Sequence, residues 1–318
     1  MREASFAGFQ LNYLPVSNSV LPTQEDLLDD LAMHRLDAIM GGSSVGFQLP
    51  LHRMVRILIL VLGLLIGRSA CAQGGPPYYT NDPGTPGPRN WEINLAYMPF
   101  LYSTQSVAHT PDVDINFGIG DRIQLTYENA WLRVHDLPVD AKFGLGQSNF
   151  GVKWRFYDAG ESGWSISTFP QGFVNNPNDS VRRGITPQSN SFLLPFEFSH
   201  KLGPVDVNFE GGYNFAHDGP SGWLTGLVVG HTFNSKLELD AEFYSQSTYK
   251  PYESQPILDA GARYRIHNPV ILLLMAGRSV EPASPNHPYF VGYFGVQFLL
   301  PTRAYNADDP TPAKSTPP

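Results

Sequence analysis

Trp91-Glu-Ile-Asn-Leu-Ala-Tyr97 puts Trp91, Ile93, Leu95 and Tyr97 on one parity and Glu92, Asn94 and Ala96 on the other. Successive side chains of a strand point to opposite faces, so this stretch reads as a strand with one dry and one wet side. The alternation recurs about twelve times up to Leu300, with strands expected near 91–102, 106–118, 121–134, 146–158, 162–174, 189–202, 204–217, 221–233, 236–249, 256–267, 269–280 and 288–300. It is cleanest at Phe150/Val152/Trp154/Phe156 against Lys153/Arg155, and at Leu237/Leu239/Ala241/Phe243 against Glu238/Asp240/Glu242. Val270 to Ala276 is apolar on both faces, so periodicity alone assigns it less firmly. So many alternating strands with so little helical periodicity predict an all-β fold, a closed antiparallel barrel of about twelve strands.

Which side meets water depends on where the chain goes. Met54-Val-Arg-Ile-Leu-Ile-Leu-Val-Leu-Gly-Leu-Leu-Ile-Gly runs into Ser69-Ala-Cys-Ala72, with Arg53 and Arg56 ahead of the apolar run. A basic start, an apolar core too short to span a bilayer and a small-residue cleavage site predict a secretory signal peptide over 54–72. Residues 1–53 then read as an N-terminal extension upstream of the true start site. Residues 73–90 form a Gly/Pro-rich lead-in too short for an energy-coupling plug domain, 91–300 the barrel, and 301–318 a disordered Pro-rich tail. Cys71 is the only cysteine and leaves with the signal, so thiol chemistry and cysteine metal sites are excluded from the mature chain. A net charge of −8 without a basic run argues against nucleic acid as a partner. The mean hydropathy of −0.20, with 13% aromatic residues, suits a barrel with a polar interior better than a helical membrane protein.

The links sharpen this. Ile119-Gly120, Asp158 to Ser162, Leu202 to Pro204, Asn234-Ser235 and His267-Asn268 are tight, whereas 135–145, 175–188, 216–220 and 250–255 are longer. Short links on one rim and long ones on the other are the pattern of bacterial outer-membrane barrels, with short periplasmic turns and longer extracellular loops. An even strand count puts both barrel ends on the short-link rim. The dry face is then expected to meet outer-membrane lipid, the wet face to enclose the lumen, and the barrel-assembly machinery to be a partner during insertion.

Particular motifs resemble a known family. Gly144-Leu-Gly-Gln-Ser-Asn-Phe-Gly-Val-Lys153-Trp-Arg-Phe156 and Gly203-Pro-Val-Asp-Val-Asn-Phe-Glu-Gly-Gly-Tyr213 are followed in order by Trp223-Leu-Thr-Gly-Leu227, Leu237-Glu-Leu-Asp-Ala-Glu-Phe-Tyr244 and Ala276-Gly-Arg278. Together these resemble the MetA-pathway phenol-degradation (transporter-like) family of outer-membrane channels, over Pro76 to Leu300. The resemblance implies a porin-like channel for small-molecule transport connected with aromatic degradation, and brings no catalytic residue.

No enzyme chemistry is expected. The 9 histidines fall in no H-E-x-x-H-like metal pattern, and Ser199 and His200 lie on opposite faces of one strand, where they make a poor nucleophile and base. Catalytic residues, metal ligands and cofactors are therefore expected to be absent. The lumen-lining candidates are the wet-face charges Asp112, Asp114, Arg122, Glu128, Lys153, Arg155, Glu210, Glu238, Asp240, Glu242, Asp259, Arg263 and Arg265. Some are expected to pair across strands, and acidic and basic rows facing one another would select solutes. Trp91, Tyr102, Trp131, Tyr157, Trp164, Trp223, Tyr249 and Tyr289 are expected in interfacial girdles. The reading is a channel for passive passage of small solutes, aromatic or hydrophobic ones included. The alternatives are a structural or adhesive outer-membrane barrel with a closed lumen and an exported soluble β-barrel or sandwich binding a hydrophobic ligand.

Overall fold

The computed structural model describes residues 74–160, 163–175, 178–249 and 252–301. The expected extension over 1–53, the 54–72 signal and the tail beyond Pro301 lie outside them. The barrel strands are β1 (Asn90–Leu101), β2 (Gln105–Ile119), β3 (Ile123–Asp136), β4 (Lys142–Leu145), β5 (Ser148–Asp158), β6 (Trp164–Thr168) and β7 (Gln171–Val174). After one short helix, α1 (Asn178–Arg182), come β8 (Ser191–Leu202), β9 (Val205–Ala216), β10 (Gly222–Thr232), β11 (Leu237–Thr248), β12 (Glu253–His267), β13 (Val270–Ser279) and β14 (Phe290–Pro301).

All pairings are antiparallel, and β1 closes the circle on β14 from Asn90↔Pro301 to Leu101↔Phe290. The fourteen strands make twelve staves because two staves are broken. β4 and β5 pair successively with β3, and β6 and β7 both bridge β5 to β8. Pro170 lacks an N–H to continue the ladder at the second break, and Phe169 there is buried, with Lys153 Nζ 4.9 Å from its ring centre. The first break follows Leu145; the link 135–145, expected to be long, is largely wall, with only 137–141 between β3 and β4.

The doubly apolar β13 is a wall strand. Its Leu273 and Met275 are buried inside while Leu274 is exposed outside. Outward residues such as Leu95, Leu125, Val152, Leu227, Phe243 and Phe294 are all exposed, leaving an apolar belt of the kind stable in lipid. Of the expected girdle residues, Trp91, Trp131, Tyr157, Trp164, Trp223, Tyr249 and Tyr289 are exposed, but Tyr102 is only 3% exposed. Tyr102 shares the parity of Phe100 and so turns inward.

The interior is layered. Toward the rim where β1 begins and β14 ends, here the near rim, inward positions are polar: Asn94, Asp114, Gln124, Thr126 and Glu128 on β1–β3, with Glu197, Glu210, Asp240 and Glu242 opposite. Toward the far rim the same strands turn apolar inside, with Met98, Phe100, Leu132, Val134, Leu193, Leu224, Tyr244 and Ile257 in one buried cluster. Ile185, on the link after α1, is wholly buried in that cluster.

Candidate functional site

The near-rim half of the lumen is occupied by the chain's own lead-in. Gly/Pro composition bars this segment from regular structure, so its N–H and C=O groups need partners from the wall. Glu242 accepts from Tyr79 N–H at 3.0 Å and Thr80 N–H at 2.6 Å. Glu210 accepts from Asn81 N–H at 2.7 Å, and Lys153 Nζ donates to Asp82 C=O at 2.5 Å. The Arg263 guanidinium donates to three consecutive carbonyls, Gly74 at 2.7 Å, Gly75 at 2.8 Å and Pro76 at 2.7 Å, and reaches Glu238 at 3.3 Å. Tyr78, Tyr79, Thr80 and Asp82 are buried as a result. Tyr79 packs its ring 5.2 Å from Tyr244 and 6.5 Å from Phe100, tying the segment to the apolar layer above.

Two inward glycines make room. A Cβ at Gly226 would stand 2.0 Å from Thr80 Oγ1, and one at Gly118 would stand 1.8 Å from the Gly87 carbonyl oxygen. The 73–90 lead-in, expected only as a Gly/Pro-rich segment ahead of the barrel, enters the lumen from Gly74 onward. The readable signal was glycine at wet-face positions, where a barrel otherwise carries polar side chains.

Of the expected lumen residues, Asp112, Asp114, Glu128, Lys153, Glu210, Asp240, Glu242, Asp259 and Arg263 are buried inside the barrel. Glu238 is nearly so and pairs with Arg263. Arg155 and Arg265 keep the inward parity but sit at the near rim, where Arg155 donates to Asp121 C=O and forms an ion pair with Asp158, and Arg265 donates to Asn268. Arg122 is an exposed residue of the β2–β3 turn, because β3 begins only at Ile123. Glu197 and Asp206 belong to the same interior, as does Asn94.

The acids are not scattered. Register places like charges directly opposite each other three times: Glu197↔Glu210, Glu242↔Asp259 and Asp114↔Glu128. Facing carboxylates repel, so each pair needs compensation. The first has Lys153 3.7 Å from Glu197, the Ser167 hydroxyl on Glu197 and the lead-in N–H on Glu210. The second has the two lead-in N–H groups on Glu242. The third has amides: Asn94 and Asn116 each donate to Asp114 Oδ2 at 2.9 Å. Between the lead-in and this β1–β3 wall lies a narrow cavity of about 50 Å³ that opens to solvent. No group of three or more His, Cys, Asp or Glu among the described residues is placed to hold a metal ion.

No protein-family model matches the chain, so the phenol-degradation resemblance rests on the motifs quoted above. No curated protein sequence matches either. Solved structures do match. The COG4313 outer membrane channel from Pseudomonas putida F1 aligns with a TM-score of 0.55 at 11% identity, covering 72% of this chain and 100% of that one. The KdgM porin aligns with a TM-score of 0.45 at 10% identity, over 64% of this chain and 98% of that one. The first of these likenesses supports the fold, a twelve-stave barrel of the outer-membrane type.

Proposed function

We propose that this chain is a non-enzymatic channel of the bacterial outer membrane through which small solutes pass passively. In this reading the near rim faces the periplasm and the buried wet-face residues line the path. The observation that supports it is the solvent-connected, charged cavity inside a barrel whose outer belt is apolar. A barrel serving only as an anchor has no need of so many desolvated carboxylates, each costly to bury. The aromatic and aliphatic layer above the cavity favours solutes with an apolar part, in keeping with the phenol-degradation resemblance.

That layer, closed over by Ile185, also favours a second reading, a structural barrel whose links meet partners while the lumen stays shut. Planar-bilayer conductance and liposome swelling with protein lacking residues 1–72 separate the two. Discrete conductance and solute flux are expected; folded protein that gives neither overturns the channel.

A further inference from the structure

We infer that the cavity beside the lead-in is a binding site for a small organic cation, an ammonium group carrying an apolar or aromatic body. This names the solute class of the channel proposed above and rests on that reading. Of the three facing acid pairs, two are met by lead-in N–H groups, one of them also by Lys153; Asp114↔Glu128 is the pair that turns to the cavity. Asp114 and Glu128 are 8% and 6% exposed and form no ion pair among the described residues. Among the described residues Asp114 Oδ1 and Glu128 Oε2 have no hydrogen-bond partner, and neither has Oδ1 of Asn94, Asp114's cross-strand neighbour.

Buried acceptors without donors cost free energy that a bound donor cation recovers. The other charged groups on the cavity reinforce the sign. Asp112 lies 2.7 Å from His109, Glu92 and Asp82 add carboxylates, and the two cations, Lys153 and Arg263, are engaged by lead-in carbonyls. Tyr78, Tyr79, Phe169 and Tyr293 supply aromatic surface on the same cavity, suited to an ammonium or to the body that carries it. Acids spread along a wall, rather than converging as a metal ligand set, suit a cation of this size.

Phenyltrimethylammonium and benzenesulfonate, both permanently charged and similar in shape, test the sign directly. Bi-ionic reversal potentials across planar bilayers are expected to show at least tenfold preference for the cation, and for K⁺ over Cl⁻ in a KCl gradient. Asp114→Asn with Glu128→Gln is expected to abolish most of that preference, while Glu281→Gln on an exposed link leaves it intact. Heat-modifiable gel mobility reports folding; should the double variant not fold, Asp114→Asn alone and the wild-type ratio decide. Conducting protein with no cation preference, or with one the variants leave unchanged, overturns the inference. If no current flows, the channel reading falls, and titration of the folded protein's fluorescence with the same two probes decides the site. Binding of the cation alone supports it, and equal or absent binding of both overturns it.

Discussion

At the scale of the residue, the lead-in is anchored by a small set of wall side chains, and two of its contacts make predictions. Gly226 faces Thr80 so closely that any Cβ, only 2.0 Å from Thr80 Oγ1, displaces it. Gly226→Val is therefore expected to pull Tyr79 and Thr80 off Glu242 while β10 keeps its pairing. Hydrogen bonds to a charged group contribute about 1.5–3 kcal/mol each, and every 1.4 kcal/mol shifts a population about tenfold. The lead-in should thus leave its seat in a large fraction of molecules, read as higher single-channel conductance with unchanged heat-modifiable mobility. Arg263→Lys checks the other anchor. A guanidinium serves three carbonyls and Glu238 at once, whereas an ammonium cannot match that fork. Partial release is expected from Lys and fuller release from Arg263→Ala, in the same conductance assay.

At the scale of the element, strand parity carried nearly everything that was legible. Alternation placed each stave to within a few residues and put nine of the candidate charges inside, because side-chain direction along a strand has a period of two. Parity also separates the faces energetically. Leu227 on β10 is outward and 39% exposed while its neighbour Val228 is fully buried. Leu227→Arg is expected to cost about 2–4 kcal/mol in a bilayer if it sits at mid-depth, measured as a fall in the urea midpoint of refolded protein. Parity fails where a residue leaves the strand, as Arg122 does. It assigns no partner to a segment without periodicity, so beyond the wet-face glycines nothing marked the lead-in's seat: Tyr79 and Glu242 are 163 positions apart, and Pro76 and Arg263 187. The change from polar to apolar along the inner face was present in the sequence as Asn94-Ala96-Met98-Phe100 and Glu128-Ala130-Leu132-Val134. Its meaning as two layers needed all the staves aligned.

At the scale of the whole molecule, wall and lead-in are separable, which makes the lead-in's role testable in isolation. β1 meets β14 from Asn90 onward and β2 from Trp91, so barrel closure uses no residue before Asn90. Removing 74–89 should leave the barrel closed but strip the N–H donors from Glu210 and Glu242 and the carbonyls from Lys153 and Arg263. Water then enters the near-rim half and screens the exposed acid pairs, so the barrel is expected to be less stable yet folded, with conductance raised severalfold. A synthetic peptide spanning residues 74–90 should close the shortened barrel when added from the near-rim side and do nothing from the other, because the apolar layer and Ile185 stand between the far rim and its seat. Conductance unchanged by the deletion would mean that the lead-in does not obstruct the path. Closure from the far rim would mean that the apolar layer admits a peptide.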